Sequence, residues 1–313
     1  MSITQVEELA GLLLGDDAGA AADPVDDNSI FLGELDSTSA NYNPEIKSVI
    51  PAGHLFPLFV SLKSRKDEIP FSTMQVAAVL ARLGNFGANV GTTKLFYRTV
   101  ENLDGPELAS DAVHSVLTAS KAFAYAMSLT AGHRTEAVVR GRVVPLEDGT
   151  NVPLARSGTE TLSVNPVADE QFELGPMFLG SHVVEGADNL EVNLNPNLYE
   201  MSDESRKRTN FSSIKDISPV LSFQATDRDV DTLEGPAVNF TFYLVRLKNF
   251  DECYLPNEAQ HIKCVVPRGL LVKSSRQDSP NVTRMELHAG GDHADGWLGN
   301  PVQWTVNSTI DLL

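Results

Sequence analysis

The longest helical pattern in this sequence opens at Asp104, Gly105 and Pro106 and ends near Gly132, and it governs which folds are open to the chain. Leu108, Ala112, Val113, Val116, Leu117, Ala119, Ser120, Phe123, Ala124 and Met127 recur along it, with small residues at many positions between. At about 1.5 Å per residue, a helix over this span would reach roughly 40 Å, enough to brace a whole domain. Its small side chains would let other elements approach closely, so the pattern predicts a central, largely buried spine. A shorter helix is predicted before it: Ser72 or Thr73 stands where a cap is needed, Val76, Val79, Leu80 and Leu83 share a face, and Gly84 supplies a stop.

Beyond Gly132 the period changes. Residues 135 to 155 read as two strands joined around Glu147, Asp148 and Gly149, with Arg134, Arg140 and Arg142 making the first limb a basic hairpin arm. Leu190, Val192 and Leu194 alternate with polar residues, as do Val238, Phe240, Phe242 and Leu244, then Ile262, Cys264 and Val266, then Val302, Trp304 and Val306. That period of two predicts half-buried antiparallel strands. An earlier apolar run, Leu55, Phe56, Leu58, Phe59, Val60 and Leu62, reads as a buried strand. Residues 165 to 186 and 195 to 213 read as long connections, the second carrying Arg206, Lys207 and Arg208. The expected class is therefore α+β: a long central helix and a shorter one packed on antiparallel sheet, with a β-rich C-terminal half.

Charge sets the N-terminal segment apart. Ten acidic residues precede Lys47, the first positive side chain, in a chain of net charge −18. Such a segment repels phosphate, and the sequence pI near 4.7 extends that to sequence-specific nucleic-acid binding in general. Ser2 to Leu14 reads as a short amphipathic helix whose Val6, Leu9, Leu13 and nearby Leu12 share a face, stopped by Gly15. Residues 1–45 are expected to form an acidic arm, exchanged between copies or packed on its own domain, and residues 46–313 a single α+β body with a lobe boundary near 132–160. No stretch of eighteen apolar residues and no export signal is present, so the expectation is cytoplasmic synthesis without membrane insertion. Cys253 and Cys264 match neither a redox pair nor a zinc knuckle and read as free thiols.

Motifs that carry chemistry fail on spacing. Gly84 to Lys94 is glycine-rich, but Gly91 is followed by Thr92 and Thr93 where a Walker loop needs its lysine. Ser157 lacks the flanking glycines of a nucleophile elbow, and Asp227, Asp229 and Asp231 lack the glycine and glutamate of a calcium loop. His288, Asp292, His293 and Asp295 form the densest set of possible metal ligands. The first three resemble a fragment of the HxHxDH motif of metallo-β-lactamase-type hydrolases, with Gly290 in place of the central histidine. That resemblance implies a metal-dependent hydrolase as one alternative, which would need His182 or His261 to converge on the cluster. A monomeric binding module with Trp297 on an exposed β face is another.

The leading expectation is a non-enzymatic, self-assembling structural protein with no catalytic, metal or cofactor residues. A virus or phage coat subunit, and hence a virion location, is its specific form; the resemblance to coat proteins is one of size and layout. Its partners would be copies of itself, and the candidate subunit contacts are Val6, Leu9, Leu13, Arg134, Arg140 and Arg142.

Overall fold

The segment predicted as a spine helix is a β-strand of twenty residues, Val113–Gly132. It belongs to a computed structural model that describes residues 6–15, 30–33, 35–53, 55–100, 113–149, 152–161, 171–202, 207–226, 232–249, 252–278, 281–290 and 299–310. In chain order the first strands are β1 (Val6–Leu14), β2 (Ile30–Leu32), β3 (Leu35–Thr38), β4 (Asn41–Val49) and β5 (Phe59–Thr73). Helix α1 (Val76–Leu83) follows, then β6 (Ala88–Val100), β7 (Val113–Gly132), β8 (Thr135–Pro145) and β9 (Ala155–Thr161). The second half holds β10 (Phe172–Leu179), β11 (His182–Val183), β12 (Asp188–Asn193), β13 (Pro196–Ser202), β14 (Thr209–Ile217) and β15 (Val220–Ala225). It closes with β16 (Gly235–Asn249), β17 (Glu252–Cys253), β18 (His261–Asp278), β19 (Asn281–Ala289) and β20 (Gln303–Ser308). The α+β expectation is thus overturned: α1 is the one α-helix among the described residues, and the strands pair antiparallel throughout.

Strand β7 forms because both of its edges are filled. One edge pairs with β6 over 114–124 and then with β12 over 128–131; the other pairs with β9 over 113–118 and then with β8 over 122–132. Ala122, Ala124 and Ala126 point into the main core, while Phe123 and Tyr125 point to the opposite face with Val144 and Leu146. There the β13–β14 hairpin lies over them through Leu198 and Ile214. A strand covered on both faces loses the polar alternation that marks half-buried strands, and its run of small residues then satisfies a helical period as well. Long-range pairing outweighs the helix preference of alanine, a weak prior against tertiary context. Leu108 and Ala112 lie outside the described residues.

From β7 the sheet continues through β12, β15, β19, β18, β16 and β10, with β20 beside β18. Earlier along the same edge it runs to β6, β1 and β2, and from the opposite edge to β8, β5 and then β3 and β4. One continuous apolar cluster extends from Leu12 and Leu32 through α1 to Phe240, Leu287 and Val302. The alternating runs predicted as strands line it: Leu190 and Val192 on β12, Phe240, Phe242 and Leu244 on β16, and Ile262, Cys264 and Val266 on β18.

Several local expectations change. Residues 6–14 are strand β1, antiparallel to β6 and β2, where a helix was predicted. The limbs on either side of Glu147 do not pair with each other; β8 and β9 both pair with β7. The two predicted connections contain β10 and the β13–β14 hairpin.

Helix α1 occupies the segment predicted for the shorter helix. The Thr73 hydroxyl accepts the Gln75 N–H at 3.2 Å, and the Gly84 N–H donates to Leu80 O at 3.0 Å. Its exit is clipped to the C-terminal strand by buried Asn85. The Trp304 Nε1–H donates to Asn85 Oδ1 at 2.7 Å, and Asn85 Nδ2 donates to Asn300 Oδ1 at 2.7 Å and to the Val302 carbonyl. Asn85→Ala leaves those partners unsatisfied in a closed site, so a loss of about 2–3 kcal/mol is expected, read as a lower urea midpoint at unchanged slope. A loss under about 0.5 kcal/mol would show that the clip is dispensable.

Candidate interaction surface: a two-stranded amphipathic ribbon

Strands β4 and β5 leave the sheet together. Residues 41–49 pair only with residues 59–68 of β5 among the described residues, and every position of β4 is exposed. Below Glu68, β5 rejoins the body, pairing with β8 through Ile69–Thr73 and with β3. Ten residues at about 3.3 Å each make this ribbon roughly 30 Å long.

Its register divides the residues by face. Tyr42 pairs with Asp67, Pro44 with Arg65, Ile46 with Leu62 and Ser48 with Val60, so these eight share one face. Asn41, Asn43, Glu45 and Lys47, paired with Glu68, Lys66, Ser64 and Ser61, make the other. The first face is apolar apart from Ser48 and an Arg65–Asp67 ion pair of 2.6 Å. The second is charged, with Lys63 reaching Glu45 at 2.5 Å, and hydrogen bonds from Lys63 and Ser64 hold the Glu45 carboxyl below its ordinary range.

Beyond Val49 both faces turn apolar. Leu55 is 90% exposed, Phe56 77%, Leu58 69%, Ile46 63% and Val60 59%. The run predicted as a buried strand is therefore the exposed end of the ribbon. From Ser48 to Leu62 no Asp, Glu, Lys or Arg occurs. With Tyr42, Val49, Ile50 and Phe59 also open, the ribbon shows on the order of 1,000 Å² of apolar side chain, against about 300–600 Å² for the largest patch of a typical monomer.

The root is fixed to the body. Lys66 forms an ion pair with Glu200 on β13, the Arg65 N–H donates to Lys207 O at 2.9 Å, and Arg142 reaches Glu68 at 3.1 Å. The Arg65 guanidinium also lies over the Tyr42 ring, 4.6 Å from its centroid. Next to this root the outer face of the β13–β14 hairpin exposes Tyr199, Met201 and Phe211. The ribbon thus projects from a braced base.

Among the contact residues named from sequence, Arg142 belongs to this root. Arg140 is exposed two positions away on β8, and Arg134 sits exposed at the β7–β8 turn with φ 65°. Leu13 packs in cis against Phe96 and Val116, Leu9 packs on the main core, and Val6 pairs with Val100. Of the metal candidates, His288 is described, on β19 at 3.9 Å from Glu286; Asp292, His293 and Asp295, like Trp297, lie outside the described residues. Among the described residues no group of three His, Cys, Asp or Glu side chains is placed to hold a metal. His261 is buried and engaged locally, its Nδ1 accepting the Arg246 N–H and its Nε2 lying 2.9 Å from Leu255 O.

Both cysteines are free. Partial desolvation, then the hydrogen bond to Glu173 at 3.3 Å and that carboxylate's charge, push the Cys253 thiol up to about 11. A raised thiol pKa keeps the unreactive protonated form below it, so alkylation by iodoacetamide at pH 8 is expected to be about a hundredfold slower than for an ordinary cysteine. The rate should climb toward pH 11, and Glu173→Gln should raise it at pH 8. A Cys253 rate equal to that of free cysteine would refute this.

Fold and surface together define an antiparallel all-β protein carrying an amphipathic ribbon with an exposed apolar face and tip. No protein-family model matches the chain, and no curated protein matches it. Among the described residues, no helix is long and apolar enough to cross a membrane.

Proposed function

We propose that this chain is a non-enzymatic, self-assembling structural subunit, and that a virus or phage coat is the specific form of that role. The observation that carries the reading is the β4–β5 ribbon, whose apolar face and tip are exposed while its root is braced by ion pairs and backbone hydrogen bonds. An apolar surface of this size in water is unfavourable until a partner covers it.

Two further features favour an ordered partner over indiscriminate aggregation. Pro44 removes an N–H from β4, and Lys47, Lys63 and Lys66 stud the polar face, devices that discourage open-ended strand addition. The net charge of −18 keeps separate subunits soluble and would stop a shell from adhering to nucleic acid inside it. The test is the assembly state of the full chain beside a chain lacking the ribbon tip, by light scattering and negative-stain microscopy. Regular particles or rings from the full chain support the proposal; a full chain that stays monomeric across salt and concentration defeats it.

A further inference from the structure

We infer that the ribbon's partner is the same ribbon of a second copy: two β4–β5 ribbons stack through Tyr42, Ile46, Val60 and Leu62 about a two-fold axis. The inference rests on the self-assembly reading and adds to it the identity of the surface that receives the ribbon.

The sidedness of the ribbon is the first reason. A tip that merely dipped into lipid would need apolar residues only at its end. Here the apolar face continues from Leu58 and Val60 down to Tyr42 near the root, while the reverse face stays polar. A long apolar stripe on a flat two-stranded ribbon fits another flat surface, and facing sheets stack about 10 Å apart.

Charge selects the same face. In a two-fold contact each residue meets its own counterpart or a close neighbour, so a charged face repels itself and a neutral one does not. The apolar face carries Arg65 and Asp67, which neutralise each other at 2.6 Å. The polar face carries Lys47 beside three ion pairs, Lys63–Glu45, Lys66–Glu200 and Arg142–Glu68, four positive charges to three negative. Packing polar faces together would set like charges on like; packing apolar faces sets Ile46 and Val60 on their equivalents.

The area is sufficient. Covering about 600–700 Å² of that open apolar surface on each copy would bury roughly 1,200–1,400 Å², within the range of specific interfaces. Extending the sheet edge to edge through β4 is interrupted at Pro44, which favours face-to-face stacking over addition at that edge.

Ile46→Cys and Lys47→Cys, each in a Cys253→Ser background, test this on the assembled protein with a short bismaleimide. Both positions are exposed, so neither change should disturb folding, which far-UV circular dichroism checks; buried Cys264 should stay silent. Ile46→Cys is expected to yield cross-linked dimer at least about tenfold faster than Lys47→Cys, because inner-face positions lie across one stacking gap and outer-face positions across two ribbons. Ile46→Asp is expected to raise the concentration needed for assembly by about tenfold or more. Equal rates, or a faster Lys47→Cys, in protein that still assembles would overturn the stacking and leave self-assembly standing. A chain that never assembles would overturn both. Flotation of the intact chain with phospholipid vesicles, lost on tip removal and unaccompanied by Ile46→Cys cross-linking, would overturn the stacking by assigning the ribbon to a lipid surface.

Discussion

A chain in which residues 48–60 are replaced by Asn-Gly is expected to fold normally and remain monomeric where the full chain assembles. The cut joins Lys47 to Ser61, which face each other in the ribbon, and Asn-Gly is the preferred two-residue turn for such a pair. Val49, Ile50, Leu55, Phe56, Leu58, Phe59 and Val60 leave with the tip, and none of them belongs to the buried core. Folding stability should therefore change by no more than about 0.5 kcal/mol, as for surface substitutions remote from caps and packing. Assembly should fall by orders of magnitude, since these residues form most of the exposed apolar surface and central apolar anchors dominate interface energies. Size-exclusion chromatography with light scattering reads both forms across concentration and salt. Contacts made by apolar burial should strengthen in sulfate, whereas contacts made by surface charge should weaken as salt screens them. A truncated chain that assembles as readily as the full one would remove the ribbon from the account.

Phe240→Ala is expected to be the most damaging single core substitution, at about 3–5 kcal/mol. Phe240 is fully buried on β16, its ring stacked on Phe223 at 5.4 Å between centroids and tilted against Phe242 at 6.2 Å. Phe242 in turn meets Trp304 edge-on at 5.8 Å, so the cluster ties β15 and β16 to the C-terminal strand. Removing the central ring costs its transfer energy and leaves a cavity that interlocked neighbours fill only in part. Urea unfolding of the truncated, monomeric chain is the right measurement, because assembly would add a concentration-dependent term. A loss below about 1.5 kcal/mol would mean that Phe223 and Phe242 repack into the space.

The ribbon is present in the sequence as an apolar run, and that run reads as buried for a physical reason. Leu55 to Leu62 is what a buried strand looks like when only hydrophobicity is consulted, and hydrophobicity records what water disfavours, not what covers it. The signals that could have pointed outward are subtler. Pro51, Gly53 and Pro57 punctuate the uncharged stretch from Ser48 to Leu62, Lys47 and Lys63 bracket it as gatekeepers, and Tyr42, Pro44 and Ile46 alternate before it. The charge of Arg142 is legible in the sequence, but its place beside Glu68 at the ribbon root depends on the β5–β8 pairing, between residues some seventy positions apart.

Local chemistry alone determined α1, with its apolar face and Gly84 stop, the acidic bias of the N-terminal segment, and the antiparallel strands whose inward residues alternate with polar ones. In each case the deciding interactions span a few residues, or one face meets water and leaves a readable period. Tertiary structure alone decided β7 and the ribbon. A segment such as Ala122–Met127, apolar or small at nearly every position, satisfies the helical and the extended period alike; only β6 and β8, arriving on its two edges, select the strand. For the ribbon the same limit holds in reverse, because exposure is a relation between a residue and the rest of the fold, which no local period records.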